Sequence, residues 1–254
     1  MRLAVFTSNQ PRHLALVERL AAIDPRLHAV VEATAPTGGI GAASPVLSGY
    51  FGRVDAAERA CFGAVRPLPP GASVLTLRMG DLNAVPRAAL EGALSADQIV
   101  VFGSSWIRGW LVGELVSRGA INIHMGVSPY YRGSACNFWA VHDGNAHLVG
   151  ATIHLLSAGL DSGPMLRHVR PSHEGEDSFG FTMKAVAAAH DAMVAMLASP
   201  SLPEPVPQDR SVEVRYSRSA DFTEEVAASH LASDHGPDAI ARALASAPRV
   251  ALLA

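Results

Sequence analysis

Lysine is almost missing from this chain: Lys184 stands alone among 20 Lys and Arg residues. Charge is sparse as well, at 17% of 254 residues with a formal net charge of −3. A general nucleic-acid binder neutralises phosphates with a basic face, so that class is excluded. Cysteine is limited to Cys61 and Cys136, which have neither metal-ligand spacing nor a secretory context for a disulfide. No continuous apolar run approaches the ~20 residues of a membrane span. The apolar start, Leu3 to Phe6, is shorter than a signal h-region. A cytoplasmic protein without a membrane partner is therefore expected. Two catalytic signatures are absent too: no His-Glu-x-x-His for zinc and no Gly-x-Ser-x-Gly elbow for a serine nucleophile. No metal is expected.

What is present is apolar material, 49% of the chain, enough for one large α/β domain. Leu3–Phe6 reads as a buried strand, followed by a helix from Pro11 to Ala22 with proline well placed at the first turn. Further strands are expected at 28–31, 73–77, 98–102, 120–123, 151–156 and 165–169, the last antiparallel, with helical patterns between most of them. Residues 34–52 carry five glycines and two prolines and read as a loop, with a helix only from Val54 to Ala64. Phe179, Met183, Val186, His190, Met193 and Leu197 recur at helical spacing, so 178–198 is an amphipathic helix. The alternation predicts a three-layer Rossmann-like α/β fold, a mostly parallel mixed sheet with helices on both faces. Pro200–Gln208 holds four prolines and divides a catalytic domain, 1–200, from a short appendage, 201–254. That appendage has eight Asp or Glu against five Arg.

The segment 98–170 carries the chemistry. In a strand, residues two apart share a face, so Asn122 and His124 project together near the carboxyl end of a parallel strand, where open α/β sheets bind ligands. An amide beside an imidazole suits a reaction that builds negative charge on a carbonyl oxygen, and such donors are worth roughly 10²–10³ in rate. An Asn-x-His pair alone is ordinary. Here it opens an ordered set: Tyr131-Arg132-Gly133, Gly150-Ala151-Thr152-Ile153-His154, and Leu160-Asp161-Ser162-Gly163-Pro164.

That set resembles the folate-dependent formyltransferases, which include glycinamide ribonucleotide transformylase, methionyl-tRNA formyltransferase and sugar N-formyltransferases. The resemblance covers roughly residues 1–200. It implies 10-formyltetrahydrofolate as co-substrate and Asn122, His124 and Asp161 as the catalytic trio. Direct transfer is implied, with Asn122 and a protonated His124 donating to the oxyanion and Asp161 holding His124 cationic or relaying a proton. By the same resemblance Gly103, Ser104, Ser105, Trp106 and Ile107 wrap the pterin, and Ser162 and Gly163 close its other side. The turn after the first strand lacks the family's glycine-rich phosphate cradle, which leaves Asn9, Arg12 and His13 as acceptor contacts. Met125-Gly126-Val127-Ser128 departs from the family's loop after the catalytic histidine and puts acceptor choice in question.

Other residues read more plainly. His154 is expected to be structural, His190 a satisfied core residue and Cys136 a packing residue without a partner. Tyr216–Arg218 and Asp221–Phe222 are expected to fold back over the cleft. The short acidic tail argues against tRNA, and a deformylase, which typically carries an extra N-terminal regulatory domain, is not expected. The expected partner is a small-molecule amine, first a nucleotide-linked amino sugar, then an amino acid or hydroxylamine side chain. A folate-binding module without catalysis is the alternative class. Homo-oligomerisation is compatible with all of these.

Overall fold

The computed structural model describes residues 1–34 and 44–253. Nine strands are assigned there: β1 (Leu3–Ser8), β2 (His28–Ala33), β3 (Ser73–Arg78), β4 (Gln98–Val101), β5 (Ile121–His124), β6 (Tyr131–Gly133), β7 (Ala151–Leu155), β8 (Met165–Val169) and β9 (Arg215–Ser217). The helices are α1 (Pro11–Ile23), α2 (Pro45–Phe62), α3 (Arg87–Leu94), α4 (Gly109–Ser117), α5 (Cys136–His142), α6 (Ser178–Ala198), α7 (Glu224–Ala232) and α8 (Pro237–Ala245).

Seven strands form one sheet in the order β3-β2-β1-β4-β5-β7-β8. The first five are parallel, and β7 and β8 run antiparallel to their neighbours. Strand alternation builds the two faces. Leu3 and Val5 point into a core with α1 and α6, whereas Ala4 and Phe6 point into a second core with α3 and α4. Helices on both faces of a mostly parallel sheet bear out the predicted fold class. Helix α1 buries Leu16, Val17 and Leu20 completely, at ~1.5–3 kcal/mol for each large side chain.

Helix α2 corrects one expectation. It starts nine residues before Val54 and includes Gly49 and Gly52. The Ser44 hydroxyl accepts from the amides of Val46 and Leu47, and Pro45 holds the first turn. The rest of the loop expected over 34–52 falls largely outside the described residues. Helix α6 is long and apolar enough to cross a membrane on length and composition. It serves here as a core helix, with Met193 and Ala189 fully buried.

The tail is fastened to the sheet. Val206, inside the stretch expected to be a linker, exchanges backbone hydrogen bonds with Met165 of β8 at 2.7 and 2.8 Å. Strand β9 pairs in parallel with β6, and the Leu253 amide donates to His168 Nδ1 at 2.9 Å. Phe222 packs on Tyr50 and Phe138, in the second half of the segment expected to fold back over the cleft.

His190 also departs from expectation. It is fully buried between Phe62 and Phe102, and neither ring nitrogen has a protein partner. Burial pushes its pKa down to about 3, helped by Arg19 and Arg66. An unfolded histidine titrates at ~6.5, so the unfolded chain takes up the proton first as pH falls. Stability is therefore lost from about pH 6.5 down to about 3. His190→Leu is expected to flatten this acid loss in thermal melts and to add roughly 1 kcal/mol at neutral pH by removing unmet polar atoms. An unchanged pH profile would assign the acid sensitivity elsewhere.

Candidate active site

The carboxyl end of β5 carries the site. Asn122 and His124 alternate with Ile121 and Ile123, which are buried in the core against α1 and α6, so the two polar side chains leave the sheet on its opposite face. Asp161 arrives from the turn between β7 and β8 in a left-handed conformation, φ 45°, which aspartate tolerates better than most residues. Gln208 holds that turn by donating to the carbonyls of Asp161 at 2.8 Å and Gly163 at 3.0 Å.

The three side chains meet. Asp161 Oδ2 lies 3.3 Å from His124 Nδ1. The Asn122 amide nitrogen directs one N–H to Asp161 Oδ1 at 3.3 Å and the other to His154 Nε2 at 3.0 Å. His154 in turn directs Nδ1 to the Leu155 carbonyl at 2.8 Å. Donation to that carbonyl requires a proton on Nδ1, which leaves Nε2 as the acceptor for Asn122. The antiparallel register opposes Asn122 to His154 directly. The histidine expected to be only structural thus orients the amide.

Burial alone would discharge His124. The Asp161 carboxylate, with the Cys136 sulfur, overcomes that and holds its pKa well above the ordinary value. Asp161 shows the same balance: burial opposes its charge, but His124 holds its pKa far below the usual range. An imidazolium–carboxylate pair at neutral pH is the result.

Cys136 is the residue that sequence reasoning undervalued. Its Sγ lies 3.5 Å from His124 Nε2 and 3.4 Å from the Gly133 carbonyl. Gly126 permits the contact, because a Cβ there would stand 2.8 Å from His124 Nε2 and 2.5 Å from Cys136 Cβ. A glycine two residues after the histidine was the available signal.

The trio borders a cavity of about 590 Å³. Gly103, Ser104, Ser105, Trp106 and Ile107 line it, as do Arg12 and His13. Gly103 has φ +70° and lies so close to the His13 ring that no side chain fits there. Buried Glu32 shapes this loop, accepting from the Ser105 amide at 2.6 Å, its hydroxyl at 2.8 Å and the Gly80 amide at 2.8 Å. Trp106 is 59% exposed, which rules out a core role and leaves its ring free at the cavity wall. Tyr50, Phe51, Phe138 and Phe179 add an aromatic region that the sequence reading did not anticipate.

Three expected contacts lie elsewhere. Asn9 joins the ends of β1 and β2 through two hydrogen bonds to the Thr34 backbone, and it does not line the cavity. Ser162 hydrogen-bonds Ser157 within its own turn, and Gly163 packs against the Leu155 carbonyl. Gly159 and Leu160 line the cavity in their place. Among the described residues no His, Cys, Asp and Glu group has the geometry to hold a metal.

Residues 87–197 match the family model described as formyl transferase. The methionyl-tRNA formyltransferase of Ruegeria pomeroyi is 33% identical over 152 residues, covering 57% of this chain and 50% of that protein. The chain spans half or less of the length of the curated relatives it matches. A formyltransferase from Anoxybacillus kamchatkensis, in complex with UDP-4,6-dideoxy-4-formamido-L-AltNAc and tetrahydrofolate, aligns with TM-score 0.54 at 15% identity, covering 96% of this chain and 97% of that one. A phosphoribosylglycinamide formyltransferase from Bacillus halodurans aligns with TM-score 0.51 at 22% identity, covering 79% and 96%. At these identities the structural likenesses establish the fold.

Asp161→Asn removes the charge that keeps His124 protonated. The ring is expected to titrate at a lower pH by NMR, and the alkaline limit of any His124-dependent activity should move down with it. The stability that the raised His124 value contributes is present below about pH 6.5 and is lost as pH rises through that value. A His124 titration unmoved by the substitution would break the assignment.

Proposed function

For a chain whose residues 87–197 form a formyl transferase family domain, we propose transfer of the formyl group of 10-formyltetrahydrofolate to the amine of a small molecule. The observation that carries the reading is the Asn122–His124–Asp161 cluster at a cavity wall, with its imidazole held cationic. The catalytic unit is residues 1–200, and 201–254 closes the site through Gln208.

The amine nitrogen attacks the formyl carbon, and a tetrahedral species forms with charge on oxygen. His124 Nε2–H is the natural donor to that oxygen, since Nδ1 is engaged by Asp161. The oxygen takes the position on Nε2 that the Cys136 sulfur shares in the free protein. Asn122 has both amide hydrogens committed, so it serves as a second donor by exchanging Asp161 for the oxyanion. The released carboxylate accepts the proton lost by the amine. The C–N bond to folate then breaks, and the departing nitrogen receives the proton that Asp161 took from the amine, giving tetrahydrofolate and the formamide. Proton transfers of this kind contribute ~10²–10⁴ in rate.

The loop 103–107 supports the folate end. It presents backbone groups fixed by Glu32 and an exposed indole for the pterin or benzoyl ring. Arg108 lies 5.7 Å from the Trp106 ring, at the edge where an acidic glutamyl tail would leave the cavity. Similarity to methionyl-tRNA formyltransferases favours tRNA as a second acceptor reading. The net charge of −3 opposes it.

Asn122→Ala, His124→Ala and Asp161→Ala are each expected to cut tetrahydrofolate release at least ~10²-fold with unchanged circular dichroism. Arg108→Ala is expected to raise the folate KM and leave kcat unchanged. Near-normal turnover in any trio variant would remove that residue from the mechanism.

A further inference from the structure

The aromatic region beside the trio narrows the acceptor. Tyr50 on α2 packs against Phe51, Phe138 and Phe179 with ring centroids 5.3, 5.7 and 5.3 Å apart. Met183 and Val186 of α6 complete an apolar wall. A phosphorylated acceptor would need free cations or open helix N-termini on this side. Among the described residues the starts of the long helices on this side are occupied, and the one uncapped start at the cavity belongs to the short α5, at Ala135–Asn137.

At the starts of α1 and α6 the position that would attract an anion already holds a carboxylate of the protein. At the start of α1, Glu58 accepts the Arg12 amide at 3.0 Å and pairs with its guanidinium at 2.9 Å. Glu58 is buried, and Arg12 is the single Lys or Arg lining the cavity. At the start of α6, Asp177 accepts the Gly180 amide at 2.9 Å and pairs with Arg53 at 2.8 Å, while that guanidinium lies 4.4 Å from the Phe179 ring centre. At the start of α2, Ser44 caps the helix and donates to Glu224. Arg132 is paired with Glu213 at 3.0 Å. The sequence 35–43 contains no Lys, Arg or His. His13 and His230 line the cavity, and burial drives both below the ordinary histidine value, so they add no charge at neutral pH.

We propose that the acceptor is a primary amine carried on an uncharged aryl or branched alkyl framework, seated against Tyr50, Phe51, Phe138 and Phe179, and not a phosphate ester. This revises the nucleotide-linked amino sugar expected from sequence, and it rests on the formyl-transfer reading. Nothing else about the reaction changes: the amine gains the formyl carbon, loses one proton, and tetrahydrofolate leaves protonated.

The test follows tetrahydrofolate release from saturating 10-formyltetrahydrofolate with four probes: 2-phenylethylamine, 3-methylbutylamine, a UDP-linked 4-amino sugar and methionyl-tRNA. One of the two amines on an uncharged framework is expected to exceed the UDP sugar and methionyl-tRNA in kcat/KM by at least about tenfold. Millimolar pyrophosphate should leave the wild type uninhibited and should inhibit Glu58→Gln, where Arg12 and its amide are freed. Phe51→Ala should raise the KM of the favoured amine by about tenfold without changing tetrahydrofolate affinity read by tryptophan fluorescence. Faster turnover of the UDP sugar or methionyl-tRNA, or competition by pyrophosphate in the wild type, overturns the acceptor class while formyl transfer stands. Tetrahydrofolate binding without release from any probe overturns both the acceptor class and transfer. No tetrahydrofolate binding removes the folate reading itself.

Discussion

Everything at the site depends on one buried ion pair, His124 with Asp161. Removing an imidazolium and a carboxylate from water is costly, and the pair survives only if surrounding groups satisfy what water no longer does. Asn122 supplies a hydrogen bond to the carboxylate, and His154 fixes that amide from the next strand. Gln208 secures the turn that delivers Asp161 in a left-handed conformation. Gly126 and Cys136 enclose the other ring nitrogen. Apart from Asn122, none of these supporting residues enters the proposed reaction, yet together they set the charge and aim of His124. Preorganisation here is a matter of satisfied polar atoms on a rigid strand end.

The same logic governs the acceptor side with the signs reversed. Glu58 and Asp177 occupy helix N-termini that would otherwise be open to an incoming anion. They neutralise Arg12 and Arg53 as they do so. Ring surface from Tyr50, Phe51, Phe138 and Phe179 faces the cavity beside them. A protein can disfavour a class of ligand by filling its binding positions from within.

Much of this was legible before any coordinates. Short apolar runs located β1 and β4, and the apolar stripe located α6, because the burial of those segments is written in their own side chains. Asn122 and His124 could be placed on one face from spacing alone. Asp161 could not: 39 residues separate it from Asn122, and only the ordered resemblance joined them. His154 was undervalued because its role depends on the β5–β7 register, which no single strand encodes. Helix α2 was shortened because Gly49 and Gly52 argue locally against helix, although Ser44-Pro45 was a readable start. The aromatic region was missed for a similar reason. Tyr50 and Phe51 come from α2, Phe138 from α5 and Phe179 from α6, and only packing brings them together.

The Gln208 clamp also sets an order of events during synthesis. Gln208 lies 47 residues beyond Asp161 in the chain. At roughly 5–20 residues per second, that interval lasts roughly 2–9 s, before the added time for Gln208 to emerge from the ribosome. In that window a nascent chain holds β5, β7 and the whole trio, but its Asp161 turn is unfastened. The exposed edge of β8 likewise waits for Val206. Assembly of the candidate site is thus a late event, even though all three side chains of the trio were translated earlier.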